Sequence, residues 1–139
     1  MTTSSRRGTP GLSKGKSYVP QRGDIVWIDY NPQRGREQAK RRPALVLSPA
    51  DYNGLVGLAV VCPIANQARD YPFEVMIPPG LAATGVVLAD QIKSFDWHQR
   101  NAEFKGKFPE SVVREVLETV LTLLDPRDED EEMVAEADG

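Results

Sequence analysis

The sequence has a single cysteine, Cys62, a single histidine, His98, and no long run of apolar residues. One cysteine excludes an intramolecular disulfide, and one cysteine with one histidine excludes a zinc finger or a similar site with several nitrogen and sulfur ligands. The absence of a run of about 18 apolar residues excludes a transmembrane helix. No apolar segment follows the basic N-terminus, so we expect a cytoplasmic protein without a secretory signal or a membrane partner. With so few metal-binding side chains, we expect neither a metal nor another cofactor.

The 139 residues suffice for one compact domain but not for two ordinary ones. The net charge of −3 hides a strong segregation, because residues 1–17 carry four basic side chains and no acid, whereas residues 125–139 carry eight acids and one arginine. The stretch between them is neutral. We therefore predict a basic disordered tail at 1–17, one folded domain at 18–124 and an acidic disordered tail at 125–139.

Short β-branched and alternating segments predict a series of strands. They lie at residues 24–30, 43–48, 58–62, 73–77, 85–91 with 92–95, and 104–107. The Asp-Tyr-Asn-Gly stretch at 51–54 predicts a turn. A helix is predicted from Pro109, which suits a first helical position, to Leu124, because apolar residues recur there at spacings of three and four. The pattern predicts an α+β fold, with a small antiparallel sheet or barrel and a C-terminal helix.

A basic loop carries the strongest chemical signal. Between Arg34 and Arg42, five basic residues surround one acid, Glu37, which gives a local charge of +4. Such an excess attracts phosphates. A carboxylate among cations stays ionised and can accept a proton, and a positioned arginine can stabilise a pentacovalent phosphate. Glu37 and Arg42 are therefore candidate catalytic residues, although a solvated loop with one salt bridge explains the same pattern.

Five motifs occur in the order and spacing of one known family. They are RGDIVW at 22–27, GREQ at 35–38, RPALVLSP at 42–49, YPFEV at 71–75 and GVVLADQIKS at 85–94. On these motifs the stretch 18–124 resembles the MazF/PemK toxins of bacterial type II toxin–antitoxin systems. Both tails lie outside the resemblance.

The resemblance implies a small SH3-like antiparallel β-barrel with a C-terminal helix, as in MazF, Kid and CcdB, working as a homodimer. It implies a metal-independent toxin that cuts single-stranded RNA, often mRNA, within a short sequence. Attack by the 2′-hydroxyl would leave 2′,3′-cyclic phosphate and 5′-hydroxyl ends. Glu37 falls on the family's general base and Arg42 on its acid or phosphate stabiliser. A MazE-like antitoxin with an acidic disordered tail would occupy the RNA groove.

Further residues are candidates for contact with RNA. Asn66, Gln67 and Arg69 follow a predicted strand and carry side chains that can bind base edges. The remaining candidates lie in the basic loop or in the family motifs: Arg36, Gln38, Arg41, Ser48, Asp90, Gln91 and Lys93.

The aromatic residues and the lone cysteine have structural alternatives. Trp27 is expected in the core, and Cys62 is expected to be an inert buried residue. Phe95 and Trp97 either stack on bases or pack inside the protein or a dimer. His98 is expected at the surface.

The sequence departs from the resemblance at Ala65, where many relatives carry a serine or threonine hydroxyl near the scissile phosphate. Either Asn66 or Ser48 replaces that donor, or the enzyme is slower. Two other functions stay open. A CcdB-like toxin would bind gyrase without catalysis, and toxins of that kind lack the Glu–Arg pair in this loop. A catalytically inactive RNA-binding barrel is suggested only by Ala65.

Overall fold

The computed structural model describes residues 18–31 and 40–125. The elements within these ranges are β1 (Asp24–Asn31), β2 (Lys40–Val46), α1 (Ala50–Val56), β3 (Leu58–Ala65), β4 (Glu74–Met76), β5 (Val86–Leu88), a 3-10 helix (Ala89–Gln91), β6 (Lys93–Asp96), β7 (Glu103–Lys107) and α2 (Glu110–Leu124). The predicted basic tail, all but the first residue of the predicted acidic tail, and most of the basic loop lie outside the described residues.

The strands form a seven-stranded sheet in which every pair is antiparallel. The order is β4-β5-β3-β2-β1-β7, and β6 pairs with β3, so that β3 has three partners. The predicted α+β class, antiparallel sheet and C-terminal helix are confirmed. Among the described residues, β4 and β7 are the two ends of the hydrogen-bonded path, so the sheet does not close into a barrel.

Both faces of the sheet are covered, because successive side chains of a strand point to opposite sides. On one face, Ile25 and Leu45 belong to a core that includes the buried valines of α2. On the other face, Val26 and Val46 pack with Phe95. Full burial of one such aliphatic side chain stabilises the fold by roughly 1.5–3 kcal/mol. Neighbouring residues of one strand therefore serve two separate cores.

Residues 50–56 form α1, and the prediction of a simple turn at 51–54 was wrong. The reason is Asn53, whose fully buried side chain makes tertiary hydrogen bonds. Its Nδ2 donates to the carbonyl oxygens of Pro20 at 2.8 Å and Ser48 at 3.0 Å, and its Oδ1 accepts from the Ser48 hydroxyl. The helix ends at Gly57, whose φ of 86° suits glycine.

Helix α2 begins at Glu110, with Pro109 as its N-cap rather than its first helical residue as predicted. The row of valines along this helix is buried, namely Val112, Val113, Val116 and Val120. Leu121 and Leu124, which the sequence pattern placed on the same apolar face, are 57% and 62% exposed. The C-terminal half of α2 therefore leaves apolar surface uncovered.

The start of β5 depends on a glycine at a point where no side chain fits. Gly85 has a φ of 108°, and a Cβ there would lie 1.9 Å from the carbonyl oxygen of Ala65. The Gly85 carbonyl also accepts a hydrogen bond from the backbone N–H of Ile77 at 3.0 Å. The last residue of β3 is thereby fixed against the strands that follow.

We predict that Gly85→Ala lowers the free energy of unfolding by about 3 kcal/mol, because backbone strain adds to the displacement of the Ala65 carbonyl. Urea unfolding followed by circular dichroism measures this loss. Gly80→Ala is the matched control, since Gly80 has a φ of 88° and a Cβ added there would meet no other atom within 4 Å. Equal losses in the two variants would show that the close approach to Ala65 contributes nothing.

Candidate functional site

A cleft of about 690 Å³ opens where β2, the end of β3 and the 3-10 helix meet. Its lining residues are Arg42, Ala65, Asn66, Gln67, Arg69, Tyr71, Glu74, Leu88, Asp90 and Gln91. A second cavity of about 420 Å³ shares Arg42 and Asn66 with the cleft. Its other lining residues are Trp27, Arg41, Pro43, Ile64, Ala83, Thr84 and Lys105.

The cleft brings together six of the site residues that the sequence predicted. They are Arg42, Asn66, Gln67, Arg69, Asp90 and Gln91. Arg41 lines only the second cavity, and neither Ser48 nor Lys93 lines either one. Glu37, Arg36 and Gln38 lie outside the described residues, so their roles stay predictions.

Arg42 is half-buried and lies against an aromatic ring. It pairs with Ile28 across the β1–β2 ladder, which makes it a diagonal neighbour of Tyr30. The guanidinium carbon of Arg42 is 5.6 Å from the centre of the Tyr30 ring, and the Lys93 Nζ is 5.4 Å from the same centre. A ring face attracts cations. Tyr30 therefore has two positive charges against its ring, and one of them, Arg42, lines the cleft.

Tyr30 itself is only 7% exposed. Burial raises the pKa of its phenol, and the hydroxyl has no hydrogen-bond partner among the residues described. So little exposed surface leaves no room for a base to stack on this ring. Tyr30 supports the cations beside it rather than providing a contact surface of its own.

Arg41 is held by acids on neighbouring strands. Its guanidinium pairs with Asp29 at 2.8 Å and with Glu103 at 3.2 Å, and it donates to the carbonyl oxygen of Asn101 at 3.0 Å. Desolvation alone would raise the pKa of Asp29, but hydrogen bonds from Asn101 and Arg41 bring it below its ordinary value. Much of the charge of Arg41 is therefore compensated within the protein.

Ser48 is not an available donor in the cleft, which corrects its assignment as an RNA contact. The residue is 8% exposed. Its hydroxyl donates to the Oδ1 of Asn53 at 2.6 Å and accepts from the backbone N–H of Val60 at 2.8 Å. Both hydrogen bonds serve the junction between β3 and α1. Of the two proposed replacements for the hydroxyl missing at Ala65, only Asn66 lines the cleft.

Two polar lining residues, Tyr71 and Glu74, were not predicted as site residues, although both belong to the YPFEV motif. The Glu74 carboxylate accepts the backbone N–H of Arg69 on both oxygens at 3.0 Å and that of Tyr71 at 3.4 Å. The Tyr71 hydroxyl donates to the Oδ2 of Asp90 at 2.8 Å, and this hydrogen bond raises the pKa of the phenol. The cleft thus contains two carboxylates as well as two arginines.

The aromatic residues divide between the core and the cavities. Phe95 is buried at 6% exposure and packs edge-to-face on Tyr30, so it is not a stacking platform. Trp97 is half-buried, and its Nε1 donates to a backbone carbonyl of α1 at 3.0 Å. Trp27 was expected in the core, but it is half-buried and lines the second cavity. The Lys105 ammonium lies 5.3 Å from the centre of its ring.

Cys62 and His98 lie where the sequence predicted. Cys62 is buried, and burial raises the pKa of its thiol to about 12, so the thiol stays protonated and unreactive. His98 is exposed. Within residues 18–31 and 40–125, no three or more His, Cys, Asp or Glu side chains are grouped so as to hold a metal ion. None of the helices in these ranges has the length and apolar character needed to span a bilayer.

The residues that form this site belong to a recognisable family pattern. Residues 21–124 match the model of the PemK-like, MazF-like toxins of type II toxin–antitoxin systems. The chain belongs to this family. The resemblance that the five motifs suggested is therefore confirmed, and the cleft lies entirely within the matched PemK/MazF region.

Individual proteins of known name are also similar to this chain. The endoribonuclease toxin MazF of Escherichia coli strain K12 is 48% identical over 89 residues, which cover 64% of this chain and 79% of the relative. The endoribonuclease PemK of Escherichia coli is 35% identical over 108 residues, which cover 75% of this chain and 81% of the relative. Both identities exceed the level at which a common fold can be assumed.

Two solved structures of MazF are also similar to this chain. The crystal structure of MazF from Deinococcus radiodurans is 50% identical, with a TM-score of 0.70 over 77% of this chain and 97% of that one. A crystal structure of MazE–MazF from the same organism is 50% identical, with a TM-score of 0.72 over 77% of this chain and 96% of that one. The likeness thus covers nearly the whole of the solved MazF chains.

Proposed function

We propose that this protein is the toxin of a type II toxin–antitoxin pair and acts as a metal-independent, sequence-specific endoribonuclease on single-stranded RNA, above all mRNA. One observation carries the proposal. In a chain of the MazF/PemK family, Arg42 stands on the wall shared by two adjoining cavities, beside a loop of amide and guanidinium side chains. The names of the relatives, endoribonuclease MazF and endoribonuclease PemK, support the same activity.

RNA supplies its own nucleophile, the 2′-hydroxyl. We assign Glu37 as the base that takes the 2′-hydroxyl proton, on the strength of its place in the family motif. Arg42 neutralises the charge that develops on the phosphate oxygens as the 2′ oxygen bonds to phosphorus and the bond to the 5′ oxygen breaks. The leaving 5′ oxygen takes a proton from solvent, so the products are a 2′,3′-cyclic phosphate and a 5′-hydroxyl end. The half-burial of Arg42 against the Tyr30 ring supports this role, because a held guanidinium loses less freedom in the transition state.

Phosphate attraction and base recognition fall to different side chains in this proposal. The cations of the basic loop, together with Lys93, attract the RNA backbone. Asn66, Gln67 and Gln91 carry amides that can both donate to and accept from base edges. All three line the cleft.

The proposed partners are a second copy of the chain and a MazE-like antitoxin. The MazE–MazF crystal structures from Deinococcus radiodurans support an antitoxin partner. The exposed Leu121 and Leu124 of α2 support a dimer, since such apolar surface is commonly covered by another subunit. The finer fold assignment that we propose with this function is a small SH3-like barrel whose hydrogen-bonded path, within the described ranges, stays open between β4 and β7. A cytoplasmic location remains a prediction.

The activity is tested by incubating the purified protein with a long RNA in EDTA and mapping the cut ends. We expect cuts within a defined short sequence that leave 5′-hydroxyl ends. Glu37→Gln should slow cleavage by about 10²–10⁴-fold with little change in RNA affinity, because it removes the base and keeps the surrounding cations. Intact RNA after incubation with the wild-type protein would point instead to an RNA-binding or gyrase-binding function. An unchanged rate in the variant would remove Glu37 from the mechanism.

Arg42→Ala should lower both the cleavage rate and the RNA affinity, because Arg42 faces a charged phosphate before and during the reaction. Arg42→Lys keeps the charge but not the planar guanidinium, so we expect a partial rescue of affinity without full recovery of rate. Single-turnover cleavage and binding to a 2′-deoxy oligonucleotide measure the two effects. Arg114→Ala is the control, because Arg114 is exposed and pairs with Glu110 on α2. Full activity of Arg42→Lys would contradict a requirement for the planar guanidinium.

Ala65→Thr tests the missing hydroxyl. If the position next to Arg42 lacks a donor, restoring it should raise turnover by up to about tenfold, the value of one hydrogen bond of ~1.4 kcal/mol. Ala65→Val is the matched control, because valine has the shape of threonine without its hydroxyl. Equal rates for the two variants would mean that Asn66 already supplies the donor.

A further inference from the structure

The loop after β3 is held by the first residue of β4. We call residues 66–71 the recognition loop. Within it, the backbone N–H groups of Arg69 and Tyr71 both donate to the Glu74 carboxylate. In return, the backbone N–H of Glu74 donates to the carbonyl oxygen of Tyr71 at 3.1 Å. This reciprocal pattern ties the end of the loop to the strand that follows.

A second contact ties the loop to the opposite wall of the cleft. The Tyr71 hydroxyl donates to Asp90 of the 3-10 helix at 2.8 Å, and the Tyr71 ring packs edge-to-face on Phe73. Asp70, between the two anchored residues, has a φ of 56°, a left-handed backbone conformation that few side chains adopt. The recognition loop is therefore fixed from two sides, by Glu74 at the start of β4 and by Asp90 of the 3-10 helix.

The cleft that the recognition loop borders contains charged side chains of both signs. Arg42 and Arg69 face the same space as Glu74 and Asp90. A surface that only attracted phosphates would not include carboxylates, because they repel the RNA backbone. The oxygens of Glu74 are already occupied by backbone donors, so this carboxylate serves the loop rather than the substrate.

A fixed loop discriminates better between bases than a mobile one. Asn66, Gln67 and Arg69 are exposed along the recognition loop. When the backbone is held, a wrong base leaves the polar groups of these side chains unpaired, whereas a mobile loop can adjust to it. Loss of the anchor should therefore reduce discrimination more than it reduces cleavage itself.

We propose that Glu74 is a specificity-determining positioning residue, which sets the RNA sequence that is cut by fixing the backbone of the recognition loop. The inference rests on the proposed endoribonuclease function. Glu74 acts through Asn66, Gln67 and Arg69, and it leaves the groups at the scissile phosphate in place.

The test is Glu74→Gln, because glutamine has one acceptor oxygen and presents an amide N–H₂ where the second carboxylate oxygen stood. The measured quantity is the ratio of kcat/KM for the preferred RNA to kcat/KM for an RNA with one changed base in the recognised sequence. We expect this ratio to fall about tenfold or more, and the map of cut ends on a long RNA to broaden. Cleavage of the altered RNA should rise, because the freed loop adjusts to the wrong base, and cleavage of the preferred RNA should fall by less than the ratio does.

Asp70→Asn is the matched control. It removes one negative charge from the same loop, and asparagine tolerates the φ of 56° at this position. We expect this variant to keep the wild-type ratio. An equal fall in both variants would mean that charge, rather than loop geometry, sets the ratio, and this would overturn the proposal.

Tyr71→Phe provides a second measurement if Glu74→Gln does not fold, as judged by circular dichroism and urea unfolding. It removes only the hydrogen bond to Asp90, and we expect the same ratio to fall by a few-fold. A wild-type protein that cuts specifically, with folded variants that keep its ratio and cut map, overturns the role of Glu74 alone. A wild-type protein that cuts no RNA overturns the proposed function together with this inference.

Discussion

The eight residues of β3 pair with three different strands, and the geometry of the site depends on this shared pairing. Its first half pairs with β6, its middle with β2 and its last two residues with β5. The last pairing requires the backbone of Gly85 to lie against the carbonyl of Ala65, which excludes any side chain there. The ladder that pairs Ala44 with Pro63, continued by two residues, brings Arg42 opposite Ala65. The candidate catalytic arginine and the start of the recognition loop therefore meet because one strand serves several partners.

Within the cleft, the two signs of charge serve different purposes. Arg42 gains its position from the buried Tyr30 ring, a contact that preserves its net charge for a phosphate. Arg41, one residue earlier, pairs with Asp29 and is largely neutralised. The carboxylate of Glu74 is directed at backbone N–H groups, where it orders the loop. Neighbouring charged residues thus differ in function according to whether a ring, an acid or the main chain is their partner.

Much of the fold follows from local patterns in the sequence, since alternation and β-branching locate the strands and helical spacing locates α2. Helix α1 could not be predicted in this way, because it depends on the buried hydrogen bonds of Asn53 to segments distant in the chain. Leu121 lies on the apolar face that the helical spacing predicts, yet periodicity does not show how much of that face other elements cover. Some residues of the candidate site also depend on hydrogen bonds that the sequence pattern does not show. Glu74 was missed because its alternating pattern predicts a strand residue, whereas its role comes from hydrogen bonds between its side chain and the backbone of the preceding loop. Ser48 was assigned to the site because its hydroxyl belongs to a family motif, but the buried junction with α1 uses that hydroxyl.

The alanine at position 65 bears on the rate of the proposed reaction rather than on its class. A single hydrogen bond to the reacting phosphate is worth about tenfold in rate, whereas a general base contributes about 10²–10⁴-fold. Asn66 follows Ala65 directly and lines both cavities with Arg42. Its amide has two donor hydrogens where a hydroxyl has one, so it can face the phosphate and a base edge at once. A donor shared in this way would link turnover to the identity of the bound base, because a mismatched base would draw the amide away from the phosphate.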